Sequence, residues 1–203
     1  MKTFVTALLT ASVAAVNTPS NHWAVIVAGS RSFWNYRHQA DAHHAYDVVI
    51  KNGIPPENVI LFAYDDIADN VSNPIPGSIF NAPNGKNVYN KEAIDYRGAD
   101  VTPENFLAAL TGEKTTGGNG KVLKSTADSK VFVFFSDHGA PGLIAFPSTY
   151  LYADQLNTAV ETMVEKGMFE QLVFYIEACE SGSMFPSLAK NIGVAAMTAT
   201  DAT

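Results

Sequence analysis

The single cysteine of this chain, Cys179, lies in the run Glu177-Ala178-Cys179-Glu180-Ser181-Gly182-Ser183, directly after an apolar segment at 172–176. His138 stands in Ser136-Asp137-His138-Gly139, after a second apolar segment at 131–135. One thiol and one imidazole are the minimum parts of a cysteine-nucleophile enzyme. The imidazole can hold the sulfur as thiolate and later protonate the leaving group. The competing reading is a buried inert thiol, because cysteine is so often simply buried. Glu177, Glu180 and Ser181 do not describe an apolar burial site, which favours chemistry. Gly139 adds to the histidine's side of the pair. Glycine removes side-chain bulk and lets a backbone N–H point into a cleft, as oxyanion stabilisation requires.

The elements that must position these groups alternate between strand and helix. Residues 23–28 read as a buried strand, and 35–52 as a helix with Ala42, Ala45, Tyr46 and Val49 on one face and Gly53 as its stop. Residues 59–63 form a second strand, after which Asp65-Asp66 opens a long irregular stretch to about residue 100. A short helix follows, with Thr102 as cap, Pro103 at its first position and Gly112 past its end. Residues 131–135 are the third strand, and 143–146 a hairpin arm. Leu156, Ala159, Val160, Met163 and Val164 line one face of a helix stopped by Gly167. Residues 172–176 form a fourth strand, 183–190 a helix and 194–197 a fifth strand.

Continuous apolar strands separated by amphipathic helices predict an α/β fold, with a mainly parallel central sheet and helices on both faces. Ligands gather at the carboxyl ends of such strands. Asn35 and Arg37 follow the first strand, His138 the third and Cys179 the fourth, so one sheet edge should collect them all.

Other chemistries find less support. The net charge of −7 and the lack of a basic run argue against a nucleic-acid partner. No Gly-x-Ser-x-Gly elbow occurs, since the residue two before Ser181 is Cys179. Gly117-Gly118-Asn119-Gly120-Lys121 resembles a phosphate loop in composition, but Val122 stands where Ser or Thr is needed. His38, His43 and His44 lack metal spacing, and a single cysteine excludes a thiolate cluster, so neither metal nor cofactor is expected.

The first residues read as a signal peptide over 1–16. Lys2 precedes an apolar stretch at 4–16, with small residues for cleavage near Ala14 and Ala15. That stretch is too short for a comfortable membrane span, and no later segment approaches the length required. Residues 21–203 then form one domain on the secretory route. The sequon Asn70-Val71-Ser72 agrees with that route.

Four segments together carry a family resemblance. They are Asn35-Tyr36-Arg37-His38-Gln39-Ala40-Asp41, Tyr64-Asp65-Asp66-Ile67-Ala68, Asp137-His138-Gly139 and Glu177-Ala178-Cys179-Glu180-Ser181-Gly182-Ser183-Met184. In this order they resemble the legumain family of asparaginyl endopeptidases, from about residue 21 to the last. The resemblance implies a caspase-like α/β fold, a lysosomal, vacuolar or secreted enzyme, and peptide or protein substrates cleaved after Asn. It implies Cys179 as nucleophile, His138 as general acid–base and Asn35 as the residue orienting the imidazole. The N–H groups of Gly139 and Cys179 would hold the oxyanion. Arg37, His38 and Glu177 would line the substrate pocket. Arg37 can donate to the oxygen of an asparagine amide while Glu177 accepts from its nitrogen. A structural ion pair between those two is the competing reading.

Family members continue beyond the point matching Thr203 with more pocket wall and a C-terminal inhibitory prodomain, so a truncated chain is expected. Rival functions are the related glycosylphosphatidylinositol transamidase subunit, transpeptidation within the same family, and an inactive truncated member acting as a binding protein. The residues around the cysteine and histidine favour the legumain-like peptidase.

Overall fold

The computed structural model describes residues 21–202; the expected signal peptide falls outside them. Five strands form a wholly parallel sheet: β1 (His22–Ala28), β2 (Val59–Phe62), β3 (Lys130–Ser136), β7 (Gln171–Glu177) and β8 (Val194–Thr198), in the order β2-β1-β3-β7-β8. A second, antiparallel sheet holds β4 (Gly139–Ala140), β5 (Leu143–Phe146) and β6 (Thr149–Tyr152). The helices are α1 (Tyr36–Lys51), α2 (Pro103–Thr111) and α3 (Ala153–Glu165).

Side-chain alternation assigns the two faces of the parallel sheet. Val25, Val27, Val133, Phe135, Leu172 and Phe174 pack toward Phe106 and Leu110 of α2 and Leu156, Val160 and Met163 of α3. Ala24, Ile26, Ala28, Val59 and Leu61 face Ala42 and Val49 of α1. Each fully buried Leu, Ile, Val or Phe contributes about 1.5–3 kcal/mol. The helix ends follow the sequence signals. Thr102 Oγ1 accepts the Asn105 N–H, Pro103 occupies the first position of α2, and Gly112 closes that helix in the left-handed region at φ 70°. Gly53, at φ 94°, follows α1.

Helices lie on both faces of the parallel sheet as expected, with α1 covering its face only around β2, β1 and β3. β1 is buried from Ala24 to Ala28, but β7 alternates between buried and exposed, and the α1 side of the sheet is open there. Tyr175 is 40% and Met197 60% exposed as a result. Two expectations need correction. The expected helix at 183–190 is one 3₁₀ turn, Ser181–Met184. Pro186 disfavours helical backbone at Phe185, which adopts φ −122° and ψ 3°. Val164 is exposed, because the buried face of α3 ends at Met163.

The irregular stretch after β2 is ordered by its own contacts. Ile67, Ala68, Ile79 and Val88 form a small core with Ala40. Asn73 Nδ2 donates to the carbonyls of Ile67, Ala68 and Ser78.

Candidate active site

The direction in which strands are added to the sheet reverses between β1 and β3. α1 carries the chain to β2 on one side of β1, and β3 returns on the other. The gap beyond the carboxyl ends at such a point is where open α/β sheets bind ligands. A cleft of about 540 Å³ lies there, bounded by Arg37, Asp41, His138, Glu177 and Cys179 among others.

The strand-end loops are drawn tightly together. Asp137 N–H donates to the Glu177 carbonyl at 3.1 Å, extending the β3–β7 pairing past the strands. A Cβ on Gly29 would lie 2.5 Å from the Ala145 carbonyl oxygen and 2.8 Å from Asp137 Oδ2, so the loop after β1 needs a glycine there. A Cβ on Gly139 would collide with the Cys179 carbonyl oxygen. The histidine loop and the cysteine loop are therefore in backbone contact. Ser183 Oγ secures this by accepting the Gly142 N–H at 2.7 Å and donating to the Glu180 carbonyl at 2.5 Å. Glu180, next to Cys179, sits in the left-handed region at φ 51°, a conformation costing about 1–2 kcal/mol in a non-glycine residue.

Asn35 lies behind the imidazole, at the start of α1. An asparagine in that position usually caps its helix through its side chain, a contact worth about 1 kcal/mol. Here it makes no capping bond. Its Nδ2 donates to the Arg31 carbonyl at 2.9 Å, which turns Oδ1 toward His138 Nε2, also at 2.9 Å. An amide oxygen can only accept, so Nε2 carries the ring proton. The Nδ1 lone pair remains as the base.

Sequence reasoning missed the supports of this loop. Asp66 Oδ2 accepts the Ser32 N–H at 2.6 Å, and Asp66 Oδ1 accepts from Gln39 Nε2 at 2.7 Å. Gln39 Oε1 accepts the Asp65 N–H in return. Ser32 is held at φ 74°, ψ 153°, a conformation close to glycine-only territory. Both acids stand in a segment quoted for the family resemblance, but contacts spanning 27 and 34 residues leave no local signal.

The predicted pocket residues meet around the cleft in different roles. Arg37 is exposed and Glu177 borders the same space; among the described residues neither belongs to an ion pair. His38 is buried, with Nδ1 2.8 Å from Ser30 Oγ and 3.1 Å from Asp137 Oδ1. Its ring stands edge-on to His138 at 5.1 Å, so it walls the cleft and backs the imidazole. His38, Asp137 and His138 also bring ligand-type atoms within 4.8 Å of one another, a grouping their sequence spacing concealed. Cys179 is a free, exposed thiol.

A parallel α/β sheet that offers a thiol and an amide-oriented imidazole on adjoining strand ends has the framework of a cysteine peptidase. The chain belongs to the Peptidase C13 family, whose model matches residues 22–203. It is 54% identical to legumain of Rattus norvegicus over 181 residues, which are 88% of this chain and 42% of that protein. It is 50% identical to a vacuolar-processing enzyme of Citrus sinensis over 184 residues, 89% of this chain and 37% of that one. A hemoglobinase of Schistosoma mansoni is also 50% identical, over 91% of this chain and 43% of its own length. The chain spans less than half the length of these relatives.

Proposed function

We propose that this chain carries the catalytic centre of a cysteine endopeptidase cutting on the carboxyl side of asparagine. The observation supporting that preference is the pair of unpartnered charges in the cleft. Arg37 and Glu177 border the same space as Cys179 without forming an ion pair with each other. A primary amide satisfies both charges at once, accepting from the guanidinium at its oxygen and donating to the carboxylate from its nitrogen. Side chains lacking either function leave a desolvated polar group unpaired and are rejected.

In the reaction, His138 Nδ1 takes the Cys179 proton and the sulfur attacks the scissile carbonyl carbon. The carbonyl electron pair moves to oxygen, which the Gly139 and Cys179 N–H groups stabilise; one such donor is typically worth about 10²–10³ in rate. Collapse breaks the C–N bond, the amine takes the proton from the imidazolium, and a thioester remains. Nδ1 then deprotonates water, which attacks the thioester, and collapse returns the thiolate and a new carboxylic acid. Aspartate is cleaved more slowly and gains at acid pH, where its protonated form mimics the amide.

The N-terminal sequence supports entry into the secretory pathway, and the name of the vacuolar-processing enzyme supports a vacuole, or the corresponding lysosome, as the destination. No helix among the described residues is long and apolar enough to cross a membrane. The test is hydrolysis of a fluorogenic Ala-Ala-Asn substrate by the full gene product, with Cys179→Ser as control. Equal turnover in both proteins, or equal cleavage after Asn, Gln and Ala, would remove this reading.

A further inference from the structure

Asp41 belongs to none of the roles above, yet it borders the Cys179 cleft. It stands one turn after Arg37 on α1, so both present to the same side of the helix. Its carboxyl is half-buried and enters no ion pair among the described residues. Its hydrogen bond comes from Ser136 Oγ, 3.2 Å from Oδ2, at the last residue of β3. Among the described residues Oδ1 has no hydrogen bond, so on this cleft-lining residue it is the oxygen free to meet a ligand. We propose that Asp41 is a second acidic specificity residue of this cleft: ionised, it accepts from a substrate amide and repels a substrate carboxylate.

The inference rests on the asparagine reading and deepens it, because it assigns the rejection of aspartate to a particular group. Arg37 alone would attract a carboxylate more strongly than an amide oxygen. Discrimination needs negative charge, and Asp41 supplies it on the helix wall while Glu177 supplies it on the strand wall. The groups around Asp41 explain why its charge can vary. Burial raises its pKa, opposed by the Ser136 hydrogen bond and by His38, Arg37 and His44 on the same helix. Asp137 and His138 at the end of β3, and Glu177 at the end of β7, border the same cleft. Asp41 therefore takes up a proton at higher pH than an ordinary carboxyl. Protonated, it no longer repels aspartate and can donate a hydrogen bond to it.

The experiment compares kcat/KM for Ala-Ala-Asp and Ala-Ala-Asn substrates between pH 4 and 7.5 in the full gene product and in Asp41→Asn and Ser136→Ala. Asp41→Asn should raise the Asp-to-Asn ratio about tenfold at neutral pH and flatten its rise toward acid. Ser136→Ala removes a bond favouring the ionised form, so the onset of Asp cleavage should move to higher pH. If the substrate's own proton alone, or Glu177 without Asp41, governs selectivity, Asp41→Asn will keep the parent's pH profile, and the role assigned to Asp41 is wrong. If both substrates slow by one common factor, Asp41 is only a structural support. Should Asp41→Asn fail to fold, an unmoved onset in Ser136→Ala overturns the proposal by itself. The parent enzyme tests the underlying reading separately: absence of any Asn preference there removes that reading and this inference with it.

Discussion

Replacing His43 by leucine should protect this fold against acid. His43 lies on the buried face of α1 with no exposed surface, and neither ring nitrogen has a hydrogen-bond partner. The ring packs edge-on against Tyr89, with centroids 5.3 Å apart. Burial pushes its pKa from 6.5 down to about 4, with Asp47 opposing the change weakly. Because the folded value is depressed, the unfolded chain binds the proton first as pH falls. Stability is therefore unaffected above about 6.5, declines through the interval down to about 4, and levels off below it. The gap corresponds to about 3 kcal/mol when complete and about 2 kcal/mol at pH 5. That is a large part of the stability of an ordinary domain. Leucine is close in size and has no proton to take up. Urea unfolding followed by tryptophan fluorescence at pH 8, 6, 5 and 4, on a Cys179→Ser background to prevent self-cleavage, measures the difference. Leucine should gain on histidine by about 2 kcal/mol between pH 8 and pH 5. A stability difference that stays constant over that range would refute the reasoning.

The remaining predictions concern the catalytic loops. Asn35→Ala should lower kcat roughly 10–100-fold by freeing the ring tautomer, whereas Asn35→Asp should shift the pH–rate profile upward, because a carboxylate stabilises the protonated ring. A merely structural Asn35 would leave that profile in place. Gly139→Ala should cost at least about 10²-fold in kcat through displacement of the Cys179 carbonyl, and active-site titration with a thiol-directed inhibitor will separate this from unfolding. Asp66→Ala should lower kcat about tenfold without altering the cleft's charge, since it frees the Ser32 loop that delivers Asn35. Ser32→Gly, by contrast, should raise the thermal midpoint, as measured by differential scanning fluorimetry.

The sheet and the convergence at its edge were legible because buried parallel strands write themselves as unbroken apolar runs, as at 131–135 and 172–176. The caps of α2 were equally plain, since Thr102, Pro103 and Gly112 act through neighbouring backbone. Legibility failed where a residue's meaning depends on something distant. Val173 and Tyr175 look as apolar as the rest of β7, but whether their face is covered depends on where α1 lies. Asp41 and Ser136 meet across 95 residues, and Asp66 reaches Ser32 across 34. At 183–190 the composition suits a helix, but Pro186 disfavours helical backbone at Phe185 and the segment stops after one turn.

The contact between Gly139 and the Cys179 carbonyl also bears on how a site of this kind can diverge. Even one methyl group has no room between those loops, so mutations there meet a wall on the first step. Arg37 and Glu177 are exposed where they border the cleft, so exchanges at those positions meet no such wall. With the roles proposed above, preference for one side chain over another can thus drift while the bond-breaking centre stays fixed. Variety among descendants of such a chain would accumulate in what is cut, with the manner of cutting inherited unchanged.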